Sequence, residues 1–137
     1  MPTLDIAPEK VAWLIIKARE FEAKVSSFDG GDQEGADEQF GSVLENRRDD
    51  ATVSELTGFF QGLNVDEQAN LVAIAWIGRG TYTVDDWDEA MATARSEKSS
   101  PTQRYLLGIP QLADYLEEGL DALGIDVAAL ESDAEQE

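Results

Sequence analysis

NVDEQANLVAIAWIGRG, residues 64–80, is the stretch whose reading decides the fold. It contains the longest apolar run of the chain, residues 71–77, with a helix start before it and Gly-Arg-Gly after it. Asn64 is a favoured N-cap residue, and Glu67 three positions on completes a capping box. In that arrangement each side chain accepts a hydrogen bond from the other residue's backbone N–H. At the far end a glycine takes the left-handed conformation that terminates a helix. Seven consecutive apolar residues leave no polar side, so a helix over about 65–79 needs neighbours nearly all round it. The fold class that follows is all-α: a compact bundle of about five to six helices around a central buried helix.

Working outward, the segments on either side supply those neighbours. Upstream, Thr52-Val-Ser-Glu55 reads as a second capping box, and Val53, Leu56, Phe59, Phe60 and Leu63 follow at core spacing. The turn into Asn64 is short, which places the two helices in contact. Downstream, Thr83 opens VDDWDEAMATARSEK. Asp85, Asp86, Asp88 and Glu89 crowd its first turns, where the helix dipole favours each anion by roughly 0.3–1 kcal/mol. Trp87, Ala90, Met91 and Ala94 form its inward stripe. Ser100-Pro-Thr-Gln103 caps a short helix through Tyr105 and Leu107, which Gly108 breaks. Pro110 then leads the last helix of the core, with Leu112, Tyr115, Leu116, Gly119, Leu120 and Leu123 on one face and Gly124 as its stop.

The chain divides into four stretches: an N-terminal amphipathic helix (1–27), an acidic Gly-rich linker (28–51), a helical core domain (52–124) and an acidic tail (125–137). The first helix begins at Pro8 and puts Val11, Leu14, Ile15, Ala18, Phe21 and Val25 on one face. Trp13 and Ile16 fall on the opposite side. Either the helix is sandwiched within its own chain, or it pairs with another copy to give a homodimer through Trp13 and Ile16. The linker has too few apolar groups to offset an ordering entropy of about 1–2 kcal/mol per residue, so it reads as flexible. No window in it has the alternating acids, central glycine and terminal glutamate of a calcium-binding loop. The tail reads as frayed or disordered beyond a turn at residues 127–130.

Charge and composition exclude several function classes. The 137 residues carry 29 acids and 10 bases, a net charge of −19, with no cysteine and no histidine. The missing histidine removes the commonest general base and transition-metal ligand, and the missing cysteine removes thiol chemistry and disulfides. The acid excess repels nucleic-acid phosphates and anionic membranes, and it points to a basic character for any charged protein partner. No apolar run approaches the ~20 residues of a membrane span, and the first residues lack the basic-then-apolar order of a signal peptide. The expected compartment is the cytoplasm.

Arg79 is the most informative candidate for a site, because it lies between two glycines at a helix end and bases are scarce. One reading makes it an anion or carboxylate fork, with Tyr82, Arg104 and Tyr105 as candidate neighbours. The other has it bonding the last carbonyls of the central helix, or pairing with Asp85, Asp86 or Asp114. The flanking glycines admit either a ligand or a second backbone. Among Asp85, Asp86, Asp88 and Glu89, helical geometry lets only pairs share a face, which makes a weak cation site and leaves a solvated helix start as the better account. Trp76 and Trp87 read as core. No nucleophile–base constellation and no phosphate loop is present, so neither catalytic residues nor a cofactor are assigned.

LTGFFQGLNVDEQANLVAIAWIGRG, then DDWDEAMATAR, then YLLGIPQLADYLEEGLDALG, resembles a small bacterial family catalogued as domain of unknown function 3775. The resemblance spans about Ser54 to Gly124, and its most distinctive pieces are residues 76–80 and 105–108. It implies a compact helical module and carries no activity, cofactor or catalytic residue with it. The functional expectation is a non-enzymatic helical module that binds another protein or regulates one. The rival is a small-molecule or anion site, with enzymatic use open, around Arg79, Tyr82 and Arg104. An acidic nucleic-acid mimic ranks last, since many of the acids sit on the linker and tail rather than on a rigid face.

Overall fold

A computed structural model describes residues 4–28, 51–96 and 101–135 of the chain. Seven α-helices are described: α1 (Pro8–Phe28), α2 (Ala51–Gln61), α3 (Val65–Arg79), α4 (Trp87–Ser96), α5 (Thr102–Leu107), α6 (Leu112–Ala122) and α7 (Val127–Glu135). A 3-10 turn, Val84–Asp86, precedes α4. Among the described residues there is no strand.

The central helix is built as its sequence dictates. Asn64 caps α3 by accepting from the Glu67 N–H at 2.8 Å, and the Glu67 carboxylate accepts from the Asn64 N–H at 3.0 Å. Gly80, at φ 93°, ends the helix in the left-handed region, its N–H donating to Trp76 and Ile77 carbonyls. Every residue from 69 to 75 is buried, and so is Ile77. α6 covers α3 most extensively, and α4 takes the next largest share. Gly78 and Gly119 lie where α3 crosses α6, so the two backbones touch there without side chains between them. The flanking glycine at 78 thus admits a second backbone.

One buried polar residue, Asn70, interrupts the apolar centre and is fully hydrogen-bonded. Its Oδ1 accepts from the Asp5 N–H at 2.8 Å, and its Nδ2 donates to the Asp66 carbonyl at 2.9 Å. The first of these bonds pins the segment before α1, whose Ile6 is buried, onto the side of α3. Helix α1 then packs its Val11, Leu14, Ile15, Ala18 and Phe21 face into the same core and lies against α6, α7 and α2. Trp13, on its other side, stacks on Phe59 of α2, with ring centroids 4.9 Å apart, and Lys17 Nζ sits 5.8 Å from the indole centroid. That side of the helix therefore has a partner in its own chain.

Two local expectations need correction. Thr52 lies inside the first turn of α2 rather than ahead of it; it is buried, with its hydroxyl 3.4 Å from Glu20 Oε1. Glu55 likewise turns away from the helix start and pairs with Lys17 at 3.2 Å. The acidic tail is not frayed beyond residue 130: α7 runs on to Glu135, and it accounts for the helix beyond the five to six expected. Its foothold is Ile125 and Val127, both packed against the core. Nearly all of the linker and the side chain of Val25 lie outside what the structure describes.

Candidate functional site

Trp76 is the half-exposed residue in the run that α3 otherwise buries. Its indole Nε1 donates to the Tyr105 hydroxyl at 2.9 Å, bringing α5 onto the end of α3. Its ring lies 5.7 Å, at a 32° tilt, from that of Tyr82 in the turn after α3. The Tyr82 hydroxyl in turn stands 3.4 Å from Thr93 Oγ1 on α4. Three aromatic rings from the C-terminal end of α3, the following turn and α5 thus form one cluster. Tyr105 is exposed while Trp76 and Tyr82 are half-buried, and the chemistry on offer is an apolar face edged by phenol hydroxyls.

The four residues singled out in the sequence are only partly gathered. Tyr82 and Tyr105 meet through Trp76. Arg79 follows Trp76 by three positions, on the same side of α3, and Arg104 adjoins Tyr105 on α5. Arg79 Nε donates to Thr81 Oγ1 at 3.0 Å, which is neither of the two structural roles expected for it. Two of the expected acids, Asp86 and Asp114, and the Trp76 carbonyl have other partners. Gly80 and Thr81 N–H groups hold the Trp76 carbonyl, Asp86 accepts from the N–H and hydroxyl of Thr83, and Asp114 faces Arg19.

The charge environment sets these two arginines apart. Lys10 pairs with Glu67, Lys17 with Glu20 and Glu55, Arg19 with Asp114, Glu117 and Glu131, and Arg95 with Asp66. Among the residues whose side chains are described, Arg79 and Arg104 engage no carboxylate, although acids outnumber bases 29 to 10. Both lie beside the aromatic cluster. No group of three or more acidic side chains that could hold a metal ion occurs among the described residues. The carboxylate of Asp86 is instead occupied with Thr83.

Sequence reasoning missed Trp76 as the centre of the cluster, because an uninterrupted apolar run gives no cue to which of its sides is least covered. The nearest signal was the arginine one turn after it. A family model described as a protein of unknown function (DUF3775) matches residues 53–125. No curated protein and no solved structure matches the chain. The matched segment runs from α2 to the end of α6 and includes the whole aromatic cluster with both arginines.

Proposed function

We propose a protein-binding role for this chain, which belongs to the DUF3775 family of proteins of unknown function. The observation that carries the reading is the Trp76–Tyr82–Tyr105 cluster with Arg79 and Arg104 beside it, none of the five buried. Trp, Tyr and Arg are the residues on which binding energy concentrates at protein interfaces, because they combine a large apolar body with a polar tip. The Trp76 and Tyr105 tips are tied to each other and the Tyr82 hydroxyl to Thr93, so the aromatic platform is ordered before a partner arrives and less entropy is lost on association. The remaining surface is strongly acidic, which favours fast encounter with a partner of basic character. The module acts without chemistry of its own, in the cytoplasm; none of the described helices is long and apolar enough to cross a membrane.

Affinity capture on the immobilised chain tests this, with the wild type and Trp76→Ala compared side by side at low salt. The expected result is a protein retained by the wild type, eluted as salt is raised, and lost with Trp76→Ala. An identical set of captured proteins from both chains refutes the aromatic cluster as the contact.

A second reading rests on the two arginines that meet no carboxylate among the described residues: a small anion held between Arg79, Tyr82 and Arg104. Titration with inorganic phosphate, followed by amide chemical shifts, separates the two. Saturable shifts confined to residues 79–82 and 104–105, and abolished in Arg79→Ala, favour the anion.

A further inference from the structure

Helix α7 is lightly attached. None of its described side chains is fully buried, and its apolar foothold is the half-buried Ile125, Val127 and Leu130. It lies mainly across α1, with a smaller contact to α6. What else joins these three helices is one guanidinium among several carboxylates. Arg19 of α1 donates through Nη1 to Glu131 of α7 at 3.2 Å, and through Nη2 it pairs with Glu117 and reaches Asp114 at 3.5 Å, both on α6.

Three carboxylates against one cation leave an excess of negative charge. Glu117 and Glu131, from different helices, are brought onto the two Nη atoms of that one guanidinium. Carboxylates crowded onto one cation in this way do not all ionise easily.

We propose that this cluster is a proton-operated latch: a proton held among the carboxylates crowded round Arg19 keeps α7 against α1 and α6, and its loss releases the helix. This inference is independent of the protein-binding reading. Burial pushes Glu131 up to about 7, reinforced by the hydrogen bond and charge of Glu117. Burial also acts to raise Glu117, but its hydrogen bonds with Glu131 and Arg19 outweigh this and lower it. Between the ordinary glutamate value of 4.5 and about 7, the docked helix therefore holds a proton that the released helix lacks. Docking is strongest at the acidic end of that window, weakens as pH rises through it, and has lost the contribution above it.

The other charged groups at the junction do not reverse this sign. Arg19 stays positive throughout, its own value raised chiefly by the Glu117 hydrogen bond. Glu22 of α1, whose carboxylate accepts from the Leu112 N–H at 3.1 Å, is raised by burial and acts in the same direction as Glu131. Asp114 adds negative charge from α6. Asp126 sits at the start of α7, accepting from the Ala129 N–H at 3.3 Å.

Amide hydrogen exchange on the full chain, corrected for the intrinsic effect of pH, tests the latch. Protection of residues 127–135 should fall by about tenfold or more between pH 5.5 and 8.5, by linkage to a proton held in one state only. Protection of α3 in the same samples should stay constant, which reports that the core remains folded. Glu131→Gln places a neutral side chain that both donates and accepts at this position, so α7 should remain protected at pH 8.5. In Glu117→Gln, without the neighbouring negative charge, the transition should move to lower pH. Wild-type protection that is flat with pH, or a full pH dependence surviving in Glu131→Gln, overturns the proposal.

Discussion

Gly78 and Gly119 bring the backbones of α3 and α6 into direct contact. A Cβ built on Gly78 would fall 1.7 Å from the carbonyl oxygen of Tyr115, and one on Gly119 would fall 2.2 Å from that of Ile74. Both obstacles are backbone atoms, which no rotamer change can move aside. The largest helix pairing in the fold therefore depends on two absent methyl groups.

Gly119→Ala is expected to force the helices apart. The cost should be at least the ~1–3 kcal/mol of ordinary overpacking, and the melting temperature should drop by several degrees. Gly58, exposed within α2 with no atom near a built Cβ, provides the contrast. Gly58→Ala should stabilise by about 0.5–1 kcal/mol, because alanine loses less backbone freedom in a helix. Thermal unfolding followed by circular dichroism reads both, and equal melting temperatures for Gly119→Ala and wild type would refute the contact.

Asn70→Ala should destabilise by about 1–3 kcal/mol, since it leaves the Asp5 N–H, in a part-buried bond, without its acceptor. The loss has a local signature as well. Amide exchange at Asp5 and Ile6 should quicken more than exchange within α6. Uniform quickening across the chain would mean that Asn70 supports the core generally and is not the peg for the N-terminal segment.

Arg79→Ala should leave the melting temperature nearly unchanged, because the side chain is exposed and makes one hydrogen bond, to Thr81. Retention of the binding partner should nevertheless weaken. A fall of several degrees without any loss of binding would assign Arg79 to the structure of the helix end. Tyr105→Phe removes only the hydroxyl that accepts from Trp76, so it should alter the tryptophan emission while leaving the melt within about 1 kcal/mol of wild type.

The cap of α3 predicts an acid limb in stability. Glu67 is held below its ordinary value chiefly by the Asn64 N–H, with further help from Lys10. Its contribution is fully present above the ordinary glutamate value and is lost as pH falls through the lowered one. Asn64→Ala removes the reciprocal half of the box and should cost about 1 kcal/mol. The acid limb itself should shrink in Glu67→Gln, which keeps an acceptor for the Asn64 N–H but cannot ionise, as measured by urea unfolding between pH 3 and 5.

Local signals were legible in the sequence, and contacts set by tertiary packing were not. The extent of α3, its reciprocal cap at Asn64 and Glu67, and its left-handed stop at Gly80 depend on residues within a few positions of one another. Gly119 was readable as a core-face position, but that it meets Ile74 depends on the crossing of two helices far apart in the chain. Thr52 and Glu55 fit a capping box by spacing, yet Glu20 and Lys17 of a distant helix take up their side chains. Tyr82 and Tyr105 were named as candidates without Trp76, the residue that joins them. The helical tail reads as frayed because it is an acidic chain end, and Arg19, which Glu131 meets, lies more than a hundred residues earlier.

The buried face of α1 has one more implication, for what this family's members have to carry. Val11, Leu14, Ile15 and Phe21 are each at most 1% exposed, yet they lie outside residues 53–125. Burying four such side chains is worth roughly 6–12 kcal/mol, as much as the whole net stability of an ordinary domain, about 5–15 kcal/mol. A chain cut back to the inherited stretch would leave an oily trough open to water. Kinship and self-sufficiency have different borders here: relatives that dispense with this first helix must roof the trough with something else.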